Sequence, residues 1–257
     1  MLSRLRTYFE DRALRRQMRQ WRGLTDAAQT MNLADLRDLR RQAKQLRRQL
    51  DAVNHLAGSR LTLPVLGSNA FRKPARTDWA HRPEAWRGPV TPLGIAGVPT
   101  KTRIGSAITV FHDCKVSELS FRQVRNTGTE DLAPFGLRLD VFNFDGSFLS
   151  LAVDMPPDAL DGLKRSHLLR LDMIIESERP QEMFARLNIR HGPNTEQIVR
   201  EIEMGSREVS LEFDLYYTQF NETRGEAMWI DLIFEGPSMN QIWVRDMTLI
   251  RRPRANI

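Results

Sequence analysis

Over the first sixty residues apolar side chains recur every three or four positions, and from about residue 106 they alternate every second position. The chain therefore changes from helical to strand periodicity along its length. Leu2, Leu5, Phe9, Leu14, Met18 and Trp21 share one helical face, while Arg4, Arg6, Arg12, Arg15, Arg16, Arg19 and Arg22 occupy most other directions. This predicts a basic amphipathic helix. A second helix is predicted from Asn32, with Asp35 completing a capping-box-like pattern, to a stop at Gly58. Between them Leu36, Leu39, Ala43, Leu46, Leu50, Val53 and Ala57 make an unbroken a/d seam. Arg40 and Arg47 fall at e, and Gln42 and Gln49 at g. Self-association through residues 33–57, on Leu36, Leu39, Leu46, Leu50 and Val53, is then expected to be parallel, because antiparallel pairing sets arginine against arginine. A hairpin with residues 2–21 uses the same seam equally well.

Residues 59–105 interleave Pro64, Pro74, Pro83, Pro89, Pro92 and Pro99 with Gly67, Gly88, Gly94 and Gly97, which excludes most regular structure. Trp79, Trp86, Leu63, Leu66, Phe71 and Ile95 accompany them. An ordered strap over the next domain is expected, with the tryptophans and His81 packed rather than lining a groove. Nine alternating runs follow: 107–112, 117–124, 137–144, 147–154, 168–176, 183–190, 208–218, 227–235 and 241–250. They predict an all-β sandwich or jelly roll. Asp145-Gly146 reads as a hairpin turn, and residues 158–168 as an excursion with a helical turn. The fold class is mainly β, divided into a basic helical arm (1–58), a Pro/Gly-rich strap (59–105) and a sandwich (106–257).

Charge sharpens this division. Residues 1–60 hold 14 Lys and Arg against 6 Asp and Glu, a net +8, and the other 197 residues carry a net −2. A basic arm on a near-neutral body suits an anionic membrane surface, met through residues 2–22, or an acidic partner; nucleic acid is the less favoured partner. No apolar run is long enough to span a bilayer, and the first 21 residues carry charges where a signal peptide has its apolar segment. Cys114 is the single cysteine. A reducing, cytoplasmic location is expected, peripheral to the inner membrane if the arm binds lipid.

If Leu169, Leu171, Leu187, Ile189, Leu211, Phe213, Leu215, Ile230, Leu232 and Phe234 point into the core, the alternate residues point outward. Those include Asp172, Arg186, Asn188, Arg190, Glu212, Asp214, Tyr216 and Trp229, the candidate ligand-binding residues. Planar bidentate hydrogen-bonding groups beside aromatic platforms are the parts a sugar site needs. Cross-paired ions on an ordinary wet face, or a face covered by the strap, use the same residues.

The passages ARLNIRHGPNTEQIV, VSLEFDLYYTQFNE, AMWIDLIFEG and IWVRDMTLIRRP, with Asp246-Met247-Thr248-Leu249 in the last, are similar in rhythm to the final strands of galactose-binding-like jelly rolls found in many carbohydrate-binding modules. The likeness spans about residues 106–252 and implies a sandwich that binds a glycan. The whole chain also resembles an uncharacterised alphaproteobacterial family of unknown function, through GPNTEQIVRE, DLIFEGP and RRPRAN. That family brings no catalytic residues with it.

Catalytic signatures are missing: there is no Gly-x-Ser-x-Gly, His-Glu-x-x-His, Walker loop or dinucleotide fingerprint. His112 and Cys114 share a strand face, which makes a thiol–imidazole pair conceivable, although a packed cysteine is the commoner case. Glu212 and Asp214 lie two apart on one face, and the His191–Thr195 loop could close over a ligand. No cofactor or metal is implied. The leading expectation is a non-catalytic binding module for a carbohydrate or similar polar ligand, with the arm serving oligomerisation or surface attachment. A purely structural assembly protein and an acid/base enzyme of glycan metabolism are the alternatives.

Overall fold

The computed structural model describes residues 2–61, 70–203 and 205–254. Contacts divide the chain into two compact units, Met1–Asn54 and His55–Ile257.

The first unit holds α1 (Leu2–Ala27) and most of α2 (Leu33–Leu61). The α2 cap forms as the sequence predicts: Asn32 Oδ1 accepts from the amides of Ala34 (3.1 Å) and Asp35 (3.0 Å), and Asn32 Nδ2 donates to Asp35 Oδ2 at 2.7 Å. Gly58 does not end the helix, which runs three residues further. A Cβ there would lie 2.7 Å from Pro89 Cδ. The glycine admits the strap at close range, and its modest helix penalty of about 1 kcal/mol is tolerated. Beside it, His55 Nδ1 lies 3.2 Å from the Pro89 carbonyl oxygen.

Among the described residues the second unit has thirteen strands. They are β1 (Trp79–His81), β2 (Gly94–Ala96), β3 (Thr102–Ile104), β4 (Ile108–His112), β5 (Leu119–Arg125), β6 (Phe135–Val141), β7 (Leu149–Asp154), β8 (His167–Ser177), β9 (Met183–His191), β10 (Asn194–Glu201), β11 (Glu208–Asp214), β12 (Gly225–Phe234) and β13 (Asn240–Pro253). One sheet runs β11-β8-β13-β6-β5-β2 with β1 also paired to β13; the other runs β10-β9-β12-β7-β4-β3. Every pairing is antiparallel. From β6 onward the chain passes repeatedly from one sheet to the other, which makes a sandwich of jelly-roll character. Its core is the inward alternation of both sheets, with Leu137, Leu139, Leu169, Leu171, Leu187, Ile189, Ile230 and Leu232 among the buried residues. Each such side chain contributes about 1.5–3 kcal/mol.

Three expectations need correction. Asp145-Gly146 is no hairpin turn, because β6 and β7 belong to different sheets. Its segment is held by Asp113, whose carboxylate accepts from the Ser147 amide (2.7 Å), the Ser147 hydroxyl (2.6 Å) and the Phe148 amide (3.2 Å). Gly146 is needed there because a Cβ would approach Asp113 Oδ1 to 2.5 Å.

The run 208–218 ends as a strand at Asp214, which accepts the Tyr216 amide and caps a 3-10 turn, Leu215–Tyr217. Tyr216 therefore sits on a turn rather than on a strand face.

The strap is more regular than its prolines imply and is part of the sandwich. It supplies β1, β2, β3 and the short α3 (Glu84–Arg87). Trp86 is fully buried and donates from Nε1 to the Val244 carbonyl at 3.0 Å. A fragment begun at residue 106 lacks these parts. Trp79 and His81 stack at 5.9 Å, and burial, then the charge of Arg87, holds His81 down at about 4. The strap residues Leu63, Pro64, Leu66 and Gly67 lie outside the described residues.

Candidate functional site

Because directly paired residues share a face, the outward residues of the six-stranded sheet include Arg186, Asn188 and Arg190 on β9 and their partners Asp231, Trp229 and Ala227 on β12. Register places Trp229 between Asn188 on one neighbouring strand and Asp154 on the other. The next row reads Val199, Arg186, Asp231, Ala152, Thr109 and Arg103 across six strands. Small side chains at Ala152 and Ala227 leave a depression beside the half-buried Trp229. The resulting cleft has a volume of about 560 Å³ and is lined also by Pro156, Pro157 and Leu160. That is the size of a small-ligand site.

A hydrogen-bond network stiffens the sheet face beside the cleft. Asp231 Oδ2 accepts from Arg186 Nε (3.0 Å), Arg186 Nη2 (2.8 Å) and Asn188 Nδ2 (2.9 Å), while Gln197 Nε2 donates to Asn188 Oδ1 at 3.0 Å. Asn188 and Asp231 are both buried although they face outward. At the rim Arg190 Nε pairs with Glu226 Oε2 at 3.1 Å. On the far side Arg103 Nη2 lies 3.6 Å from Asp154 Oδ2, and also donates to the Ser106 carbonyl. Burial pushes the Asp154 carboxyl up, Arg103 opposes this, and the charge of Asp231 adds to it. The cleft thus offers an aromatic face and a loosely held carboxylate acceptor, next to a fixed polar network.

The structure divides the sequence-predicted residues between two outer faces. Arg190 and Trp229 line the cleft, and Arg186 and Asn188 lie beside it on the same outer face. Asp172, Glu212 and Asp214 project from the other sheet, where each is matched: Arg170 to Asp172 at 2.7 Å, Arg252 to Glu212 at 2.9 Å and Arg254 to Asp214 at 3.3 Å. Tyr216 stands with Tyr217 at that sheet's edge, with the Arg254 guanidinium 4.8 Å from its ring centre. The same face gathers four donors, from Ser120, Arg122, Arg138 and Gln241, on Asp140. Burial alone would raise that carboxyl, but these donors hold it below the ordinary carboxylate range. Ion pairing on a wet sheet face therefore describes this side of the sandwich.

Sequence reasoning missed Asp154, Gln197 and Glu226. Asp154 closes an alternating run and was legible by phase. Gln197 lies on β10, whose inward positions Asn194, Glu196, Ile198 and Arg200 include one apolar residue, so no period marks the strand. The His191–Thr195 segment is a tight β9–β10 turn with Gly192 at φ +57. His112 is committed to the scaffold: its Nε2 lies 2.8 Å from the Val98 carbonyl oxygen and its Nδ1 accepts the Cys114 amide at 3.2 Å. Burial pushes the Cys114 thiol up, away from the thiolate a nucleophile needs.

Three solved structures illustrate what the chain is similar to. The family 11 carbohydrate-binding module from Clostridium thermocellum, in complex with a β-1,3-1,4-mixed-linked tetrasaccharide, is 12% identical, with 64% of this chain and 100% of that one covered and a TM-score of 0.40. The CBM22-1 xylan-binding domain from Paenibacillus barcinonensis Xyn10C is 9% identical, with 72% and 100% covered and a TM-score of 0.36. The enzymatically active domain of bacteriophage CBA120 tailspike protein 4 is 8% identical, with 58% of this chain covered and a TM-score of 0.42; the chain spans 19% of its length. None of the curated proteins matches the chain. The match that covers residues 1–257 in full is to a family of unknown function, DUF6478, and the chain belongs to that family.

Proposed function

We propose that the cleft on the six-stranded sheet binds a carbohydrate chain without turning it over. The observation that carries this reading is Trp229, half-buried in the cleft and set in register between Asn188 and Asp154. A pyranose ring presents an apolar C–H face that packs on an indole and a rim of hydroxyls that both donate and accept. Asp154 and Glu226 are the acceptors at the cleft, and the Arg186–Asp231–Asn188–Gln197 network stiffens the sheet face beside it. A site set on a stiff sheet lowers the ordering cost of binding. Affinity electrophoresis of the full chain against a panel of neutral and acidic polysaccharides tests it: retarded migration in at least one gel is expected, and free migration in all of them contradicts the reading.

A further inference from the structure

Trp229 shares the cleft with a second aromatic side chain, the half-buried Phe111 on β4. Register sets the two at diagonal corners. Trp229 on β12 lies opposite Asp154 of β7, and Phe111 lies opposite Ser150 of β7. Ala152, midway between those two β7 residues, pairs with Asp231 on β12 and with Thr109 on β4. Directly paired residues share a face, and so do alternate residues of one strand, so Trp229, Ala152, Thr109 and Phe111 all stand on the outer face of the six-stranded sheet. Two strand spacings across the sheet and four residues along it put the Cα atoms of Trp229 and Phe111 roughly 17 Å apart.

A sugar ring built from bonds of about 1.5 Å, with its bridging oxygen, advances a chain by roughly 5 Å. A single ring therefore reaches one aromatic side chain and not the other. The cleft residues between them, Ala152 and Thr109, are small and leave the diagonal low. We propose, on the carbohydrate reading of this cleft, that its ligand is a stretch of at least three sugar rings laid across the sheet, with Trp229 and Phe111 as the platforms for its two ends and Ala152 as the crossing point. The polar groups sort along the same diagonal. Asp154 pairs with Trp229, and Arg190 and Glu226 flank the same stretch of β12, whereas the polar side chain lining the cleft next to Phe111 on β4 is Thr109. Sugar identity is then read at the Trp229 end, where hydroxyls meet donors and acceptors, and chain length at the Phe111 end, where apolar contact dominates. Tethering through the first platform raises the effective concentration of the far rings at the second.

Isothermal titration calorimetry of the full chain tests this, with size-fractionated fragments of one to eight rings cut from a polysaccharide that retards the wild type. Wild-type affinity is expected to climb up to three or four rings and then level off. Phe111→Ala is expected to lose about tenfold on fragments of four rings or more and nothing on one- and two-ring fragments, which never reach it. Ala152→Leu keeps both platforms and raises the crossing point, so it is expected to weaken the longer fragments alone. Thermal melts of both variants report whether the sheet stays intact, and the wild-type length series stands without either of them. Wild-type affinity already complete at one or two rings overturns the proposal and leaves the carbohydrate reading in place. A Phe111→Ala chain that loses nothing, or loses the same factor at every length, does the same. A wild type that no polysaccharide retards overturns the carbohydrate reading and this proposal with it.

Discussion

Arg82 reaches from the strap to Asp246 on β13 and closes a two-point ion pair, Nε to Oδ1 at 2.9 Å and Nη2 to Oδ2 at 2.7 Å, with both residues buried. Asp246, midway along β13, is therefore a bolt for the strap. Removing one partner leaves an uncompensated charge in the interior. Arg82→Met is expected to cost about 3–5 kcal/mol, and Arg82→Met with Asp246→Leu is expected to recover most of it. Chemical denaturation of the three chains checks this.

The pH dependence of that loss has a definite sign. Burial raises the Asp246 carboxyl, and Arg82 is the first of the groups that pull it back. Without the arginine the carboxyl rises further, so the folded state binds a proton that the unfolded state at the same pH does not. The deficit of Arg82→Met relative to wild type should be largest at neutral pH and should shrink on acidification. A deficit independent of pH from 4 to 8 would show that lost packing, not the stranded charge, is responsible.

Gly58 offers a test in which local propensity and tertiary packing oppose each other. In an exposed helix interior Gly→Ala stabilises by roughly 0.5–1 kcal/mol. Here the added carbon falls 2.7 Å from Pro89 Cδ and 2.8 Å from Pro89 Cγ, atoms of a ring fixed to the backbone. Gly58→Ala is expected to lower the melting temperature; an increase would mean that α2 and the strap separate at little cost.

Much of this architecture was legible in the sequence, and the part that was not has a common cause. The Asn32 cap, the α2 seam and the inward residues of the long strands follow from local chemistry and period. Alternation reports whether a residue points in or out, but not which sheet its strand joins. Asp172, Glu212 and Asp214 are out of phase with the core just as Arg186, Asn188 and Trp229 are, and only the pairing of β11 with β8 and of β9 with β12 sends them to opposite faces. Tyr216 was misplaced because Asp214 caps a turn where the alternation seemed to continue. The strap's strands are three residues each, too short for a period to appear.

Asp154 should make ligand retention depend on pH. Its carboxyl is raised by burial ahead of the opposing charge of Arg103. A hydroxyl-accepting carboxylate at this position loses acceptor strength when protonated, so retention should fall as pH drops through its raised value. Asp154→Asn should flatten that profile. Its folded-state pKa being raised, the ionised carboxylate contributes no stability at neutral pH, and the variant should melt at or slightly above wild type.

The most direct test is the affinity of wild type and Trp229→Ala for a polysaccharide that the wild type retains, measured beside the melting temperature of each. If Trp229 is the stacking platform, the variant loses about 2 kcal/mol of binding, roughly thirtyfold, while truncating a half-exposed ring costs about 1 kcal/mol and lowers the melt by about 2–4 °C. Unchanged affinity in the variant, or a drop of roughly 10 °C as expected for a core aromatic, contradicts the assignment of this face as the binding site.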